Sequence, residues 1–326
     1  MGIFLTASGN DSAERSCILL FAKALAKASA MGGLMVVLGC QAQPQVFRDT
    51  RVLMGTYVEV VSDNRDAARI VFDEIKRVEG LLSKYDPQSE VSQFNEFGRL
   101  SAGPDLYHLL TKAKEYWFAT DGAFDITVGP AMDLWGFTTK DFRRPSDAEI
   151  ADVLKLIGTN KIIFHPSNNV VEFNVPGMEI DLGSIGKGYA VDCAVKALRR
   201  AGISNCLINA GGQVYGLGTK AGKPWRVAIK DPRGGEVKNS FDISDQSAAT
   251  SGDYEQYFVE GDKRFSHIID PRTGSPADSG VISATVIAAD GLTADFLATS
   301  LVVLGKRKGM ELLKRFPDSR AQFIEQ

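Results

Sequence analysis

Basic residues do not outnumber acidic ones in this chain. Lysine and arginine total 37 against 40 aspartates and glutamates, for a net charge of −3 and a pI near 5.8. No basic stripe is present, so nucleic acid is not an expected partner. Cysteine is scarce, four in 326 residues. Cys193 falls on a predicted helix and Cys206 on a predicted strand, with no metal-ligand spacing. Buried free thiols are the expectation there, and a disulfide is the alternative. No membrane-spanning run is seen: Ala28 to Gly39 has 12 residues, where a spanning helix needs about 20. Repeats and low-complexity tracts are absent too. What remains is 44% hydrophobic and 24% charged, a globular composition long enough for one large domain or two medium ones.

The apolar run has the length of a signal-peptide core and follows Lys23 and Lys27. It ends in Val37-Leu38-Gly39-Cys40, which resembles a bacterial lipobox, where the cysteine is lipidated and becomes the new N-terminus. The alternatives are an ordinary signal peptide with a coincidental cysteine, or a buried helix. The division expected is a signal peptide over 1–39, a tether over 40–46 and a domain over 47–326, with a lobe boundary near 141–146, where "KDFRRPSD" is polar and contains proline.

From Phe47 the pattern is domain-like. "VLMGTYVEVVS" alternates as a strand. The next stretch places Ile70, Ile75, Val78, Leu81 and Leu82 on one helical face. A second helix over about 104–120 carries Leu106, Leu109, Leu110, Ala113 and Trp117. Ser146 and Glu149 have capping-box spacing, and 161–175 reads as a hairpin turning at 166–169. Short strands then alternate with glycines, among them "FDISDQSAATS" and "RFSHIID", before a closing strand and helix, "VISATVIAA" and "GLTADFLATSLVVLG". Strands and helices mix without regular alternation, which predicts an α+β fold of mixed sheets flanked by helices.

The chemistry concentrates in "EIDLGSIGKGYAVD", Glu179 to Asp192. A predicted strand, "MEIDL", runs into three glycines and then a helix. Such a junction suits phosphate, because the first helical N–H groups have no internal partner. It is not a Walker A loop: Asp181 stands where the first glycine belongs, and Gly188 follows Lys187. Nor does the stretch hold a dinucleotide fingerprint. A tight turn with a charged rim is the plain alternative. Asp295 and Thr299 are four apart on a predicted helix and share a face. With a carbonyl or two they suit a hard cation such as Mg²⁺; alone they also suit a helix-dipole aspartate and a bland threonine. His267 fits a general base or a hydrogen-bonded turn histidine. Trp135 and Phe137 read as core.

Eight stretches in order, "MGTYVEV", "SKYDPQSEVSQFN", "GAFDITVGPAMDLWGF", "DLGSIGKGYAVD", "INAGGQVYGLG", "ATSGDYEQYF", "SHIIDPRTGSP" and "DGLTADFLATSLVVLG", resemble the FAD:protein FMN transferases, the ApbE family. The resemblance covers roughly 47–316. It implies an ApbE-like fold with a flavin site in a cleft between two lobes. It also implies Mg²⁺-dependent transfer of the FMN half of FAD to a threonine or serine hydroxyl of a target protein, releasing AMP. The implied acceptors are flavin-carrying subunits of membrane redox complexes, in a motif close to Asp-Gly-Ala-Thr. The implied location is the periplasmic face of the inner membrane, with a lipid anchor at Cys40. Position by position, the resemblance assigns FAD contacts to Met54, Tyr85, Ala123, Phe124, Asp125, Asp181, Lys187 and Ile269. Ser184, Asp295, Ala298 and Thr299 are assigned to the metal, Ser184 through its carbonyl, and His267 to catalysis. Ser184 stands where glycine, alanine or threonine is common, and Gln213 where an acidic residue or asparagine is frequent, so Gln213 receives no role. An FAD pyrophosphatase and a non-enzymatic flavin-binding lipoprotein are the rival readings.

Overall fold

The computed structural model describes residues 3–4, 45–231, 233–235 and 237–326. Cys40 and all but two residues of the predicted signal peptide lie outside the described residues. The main sheet has seven strands, and their order across it is their order in the chain. They are β1 (Phe47–Leu53), β2 (Thr56–Ser62), β3 (Cys206–Ala210), β4 (Gln213–Leu217), β5 (Gln246–Gly252), β6 (Val281–Ala288) and β7 (Arg320–Glu325). Every neighbouring pair is antiparallel. Around it are helices α1 (Ala67–Leu82), α2 (Glu90–Phe97), α3 (Pro104–Ala119), α4 (Gly129–Leu134), α5 (Asp147–Val153), α6 (Gly186–Arg200) and α7 (Gly291–Leu313).

The side-chain period of two gives the sheet two buried faces. Val60, Ile208, Ala249 and Val286 face the main core, where α1 packs on α6, α6 on α7, and α7 on β5 and β6. Their neighbours Val61, Leu207, Ala248 and Ile287 point the other way, onto Trp225, Val227 and Ile243 of a covering hairpin (225–230 and 237–243). The whole of 63–205, including α1 to α6, is inserted between β2 and β3. It carries a small three-stranded sheet of 99–101, 170–173 and 162–165. The polar stretch 141–146 joins α4 to α5, and side chains from both sides of it meet in one cluster with Trp135 and Phe265.

Several expectations are corrected in detail. "VLMGTYVEVVS" is not one strand: it turns at Met54–Gly55, with φ of +51° and +69°. Two consecutive residues in the left-handed region make a primed hairpin turn, normally announced by Asn or Asp, which Met54 does not supply. "FDISDQSAATS" breaks in the same way at Asp245 (φ +51°). "MEIDL" is extended but joins no sheet. The side-chain amide of Asn95 takes the place of a neighbouring strand there, accepting from Ile180 N at 2.8 Å and donating to Ile180 O at 3.0 Å. In α1 the buried stripe is Val71, Phe72, Ile75, Val78 and Leu82, with Ile70 and Leu81 at its border. In α3 it is Tyr116, not Trp117, that enters the core, where it stacks on Phe296 with ring centroids 3.7 Å apart. The capping box at Ser146 and Glu149 is present. Cys193 and Cys206 are free and buried, and burial pushes the Cys206 thiol up to about 12.

Candidate active site

A cleft of about 150 Å³ opens where the glycine loop, the ends of β5 and α7 and the 267–271 segment converge. Ala123, Phe124, Asp125, Asp181, Ser184, Lys187, His267, Ile269, Asp295 and Thr299 all line it. Met54, Tyr85 and Ala298 are not among its walls. Met54 sits at the hairpin turn, its methyl group facing Gly186. Tyr85 is 70% exposed, and Ala298 is completely buried, leaving Ala298 no donor but its backbone.

Asp181 is fixed from both oxygens. One accepts from Gly183 N at 2.8 Å, and the other pairs with Lys84 Nζ at 2.8 Å. Burial opposes the Lys84 charge, but the Asp181 carboxylate outweighs it and raises the Lys84 pKa. Lys84 also donates to Thr138 Oγ1 at 3.0 Å. Sequence reasoning passed over Lys84, although it lies in "SKYD" beside Tyr85; only its burial and partner single it out from a surface lysine. Ser251 and Glu255, in "ATSGDYEQYF", line the cleft and were missed likewise. Alternation placed Ser251 on a strand but could not say what it would face.

Lys187 reaches towards Gly183 O at 3.4 Å. Asp295 above all, with Glu255 and Asp181, raises its pKa despite burial. Asp295 is 4% exposed and accepts from Gly188 N at 2.9 Å through Oδ2. Burial raises its pKa, while Lys187 and the Gly188 N–H oppose the shift. Thr299 Oγ1 lies 3.1 Å from Ser251 Oγ. The donor set is therefore oxygen only: one carboxylate, two hydroxyls and the carbonyls of the loop. No cluster of three or more His, Cys, Asp or Glu suited to a metal occurs among the described residues. A single carboxylate with neutral oxygens fits Mg²⁺, which keeps waters and shares itself with substrate phosphates. It fits zinc poorly, since that metal prefers nitrogen and sulfur.

His267 occupies the interruption between strands 263–266 and 269–270. Its Nδ1 lies 3.2 Å from Gln256 O. A carbonyl only accepts, so Nδ1 carries the hydrogen and Nε2 keeps its lone pair. Burial, with Lys187 adding to it, lowers the His267 pKa below its usual value. The imidazole is therefore neutral at pH 7 and able to take a proton.

Two assignments acquire a different physical sense. The Asp125 carboxylate already accepts from Thr127 N and Oγ1 and from Thr159 N and Oγ1, at 2.6–2.9 Å, and Phe124 packs edge-on to Tyr116 and Phe296. Ala123 to Asp125 thus meet the cleft mainly as backbone. Of the three glycines, Gly188 does not clear space for a ligand. A Cβ there would lie 2.3 Å from Gly291 O, so its purpose is the crossing of α6 with α7. Gly188→Ala is expected to cost about 1–3 kcal/mol by overpacking, and thermal melting a few degrees lower would register it.

A family model described as "ApbE family" matches residues 54–323. The chain belongs to the ApbE family. It is 35% identical to the FAD:protein FMN transferase of Klebsiella pneumoniae (strain 342), covering 86% of this chain and 89% of that protein. To the Salmonella typhimurium FAD:protein FMN transferase it is 33% identical, over 89% of each. The crystal structure of the ApbE protein of Thermotoga maritima superposes with a TM-score of 0.80 at 35% identity, over 86% of this chain and 94% of that one. The flavin transferase ApbE from Vibrio cholerae gives 0.75 at 30% identity, over the same shares. The α+β architecture of this ApbE-family chain is thus that of solved flavin transferases.

Proposed function

We propose that this chain transfers the FMN moiety of FAD to a hydroxyl of a target protein, forming a phosphoester and releasing AMP. The observation that carries this reading is one cleft that joins the oxygens of Asp295 and Thr299, a lysine held charged and a neutral histidine with a free nitrogen, in a member of the ApbE family. Mg²⁺ held by Asp295, Thr299 and carbonyls of Ser184 and Ala298 would neutralise charge on the diphosphate. The chain's own residues do the rest. Lys187 stabilises the phosphoryl oxygens. Met54, Tyr85, Ala123 to Asp125, Asp181 and Ile269 seat the nucleotide. His267 Nε2 takes the proton of the incoming threonine or serine hydroxyl. That oxygen bonds to the FMN phosphorus, and the bond from that phosphorus to the bridging oxygen breaks, so AMP departs with the bridging oxygen. Positioning and electrostatics supply most of the acceleration in such a transfer.

Acceptors in this reading are flavin-carrying subunits of membrane redox complexes. Export and lipid attachment at Cys40 would set the enzyme on the periplasmic face of the inner membrane. The apolar run ending in Val37-Leu38-Gly39-Cys40 supports that placement. The test supplies FAD and Mg²⁺ to the chain beginning after Cys40, with and without an acceptor domain bearing Asp-Gly-Ala-Thr. AMP formed only with acceptor, matched by an FMN mass gain on the acceptor, is the expected result. Equal AMP without acceptor, and no mass gain, would make the protein an FAD pyrophosphatase. Flavin binding without AMP would make it a carrier.

A further inference from the structure

The first turns of α6 and α7 are tied to each other twice. Gly188 N donates to Asp295 Oδ2 at 2.9 Å. In return, Gly291 N donates to Asp192 Oδ1 at 2.6 Å and Leu292 N to Asp192 Oδ2 at 2.9 Å. In each helix the aspartate follows the glycine by four residues, "GYAVD" in α6 and "GLTAD" in α7, so it sits about one turn further along. Each aspartate accepts from the glycine of the other helix, and the pair forms a reciprocal clasp about a local twofold. A Cβ on Gly188 would lie 2.3 Å from Gly291 O, and one on Gly291 2.5 Å from Gly188 O. The crossing therefore requires glycine on both sides.

The two halves face different spaces. Asp295 lines the catalytic cleft. Asp192 lines a separate hollow with Tyr189, Lys196 and Tyr215. Asp192 is more than a helix cap, since α7 has its own in Asp290, which accepts from Thr293 N at 2.8 Å. What distinguishes Asp192 is that its donors, Gly291 N and Leu292 N, belong to the other helix. Gln213 anchors the same point, its Nε2 donating to Gly291 O at 3.3 Å and to Ser247 Oγ at 2.8 Å. No side chains interlock where glycine meets glycine, and directed hydrogen bonds fix the register at that point.

We propose that Asp192 is a positioning residue for the cleft, fixing Asp295 and Thr299 on α7 against Ser184 and Lys187 at the start of α6. This rests on the proposed function, in which those four residues meet the cation and the diphosphate. Burial pushes the Asp192 carboxyl up to about 6, against the two N–H groups and Lys196 and with Asp290 adding to it.

The test is thermal melting of the full chain with FAD across a MgCl₂ titration, for the wild type, Asp192→Asn and Asp192→Glu. The amide loses one of two acceptors, and a raised Mg²⁺ half-saturation of about 10–100-fold is expected, the scale of groups that orient metal ligands. Asp192→Glu keeps both oxygens on a stem one methylene longer, and a smaller rise in the same direction is expected. If Asp192→Asn fails to fold, Asp192→Glu carries the test. A folded variant that melts lower but keeps the wild-type half-saturation overturns the proposal and leaves Asp192 a cap. A wild type without any Mg²⁺-dependent shift overturns it too. No acceptor is needed, so failure of FMN transfer would sink the proposed function without deciding this result.

Discussion

His267→Ala is expected to lower FMN transfer by about 10²–10⁴-fold, the usual worth of a positioned general base, while FAD still binds. The separation follows from the geometry. His267 pairs through Nδ1 with a backbone carbonyl and offers the cleft only Nε2, so its loss removes a proton acceptor and little binding surface. The pH dependence gives a sharper check. Burial disfavours the imidazolium and lowers the pKa below the usual histidine value, so the active neutral form fills as pH rises, over a lower pH range than for an ordinary histidine. Transfer by the wild type should climb with pH on the acid side and then level off. The alanine variant should lose that limb while retaining flavin fluorescence quenching. Unchanged transfer in His267→Ala would place the base elsewhere.

Asp295→Asn is expected to do more damage, a loss of about 10³-fold or greater on the scale of lost transition-state charge stabilisation. The amide can still accept from Gly188 N, so the helix crossing survives. What disappears is the only carboxylate of the oxygen donor set and the chief cause of the raised Lys187 pKa. Stability should barely follow activity. Burial raises the Asp295 pKa, which means the folded chain bears a cost for the charge, and the amide relieves it while leaving Lys187 less well compensated. These changes oppose each other, and melting within about 4 °C of wild type is expected. Calorimetry beside a transfer assay decides it: a collapse of both together would mean that Asp295 acts mainly in folding.

The sequence made the site's composition legible and its geometry only partly so. Ordered motifs named ten residues that share one cleft. Helical spacing alone placed Asp295 and Thr299 on one face. Less legible was what depends on distant chain. Nothing local marks Lys84 as the partner of Asp181, a contact across nearly a hundred residues. Nor could periodicity foresee that Asn95 would stand in for a strand beside Ile180. Met54 shows another limit: alternation continues through a two-residue turn, so a hairpin reads as one strand unless the turn carries its usual residues. Gly188 shows a third, because a glycine near a loop signals close approach without saying whether ligand or helix approaches.

The insertion between β2 and β3 has a consequence for how the chain finds this fold. Their ladder pairs Ser62 with Cys206, so the centre of the sheet cannot form until the loop over 63–205 closes. Closing it costs about 4 kcal/mol of chain entropy. Local pieces, such as the β1–β2 and β3–β4 hairpins and the packed 63–205 segment, have no such delay. Topologies dominated by distant pairings fold slowly. The docking of β2 onto β3 is therefore the expected late event. A chain held short of that step is expected to keep its local hairpins while lacking the completed seven-stranded sheet.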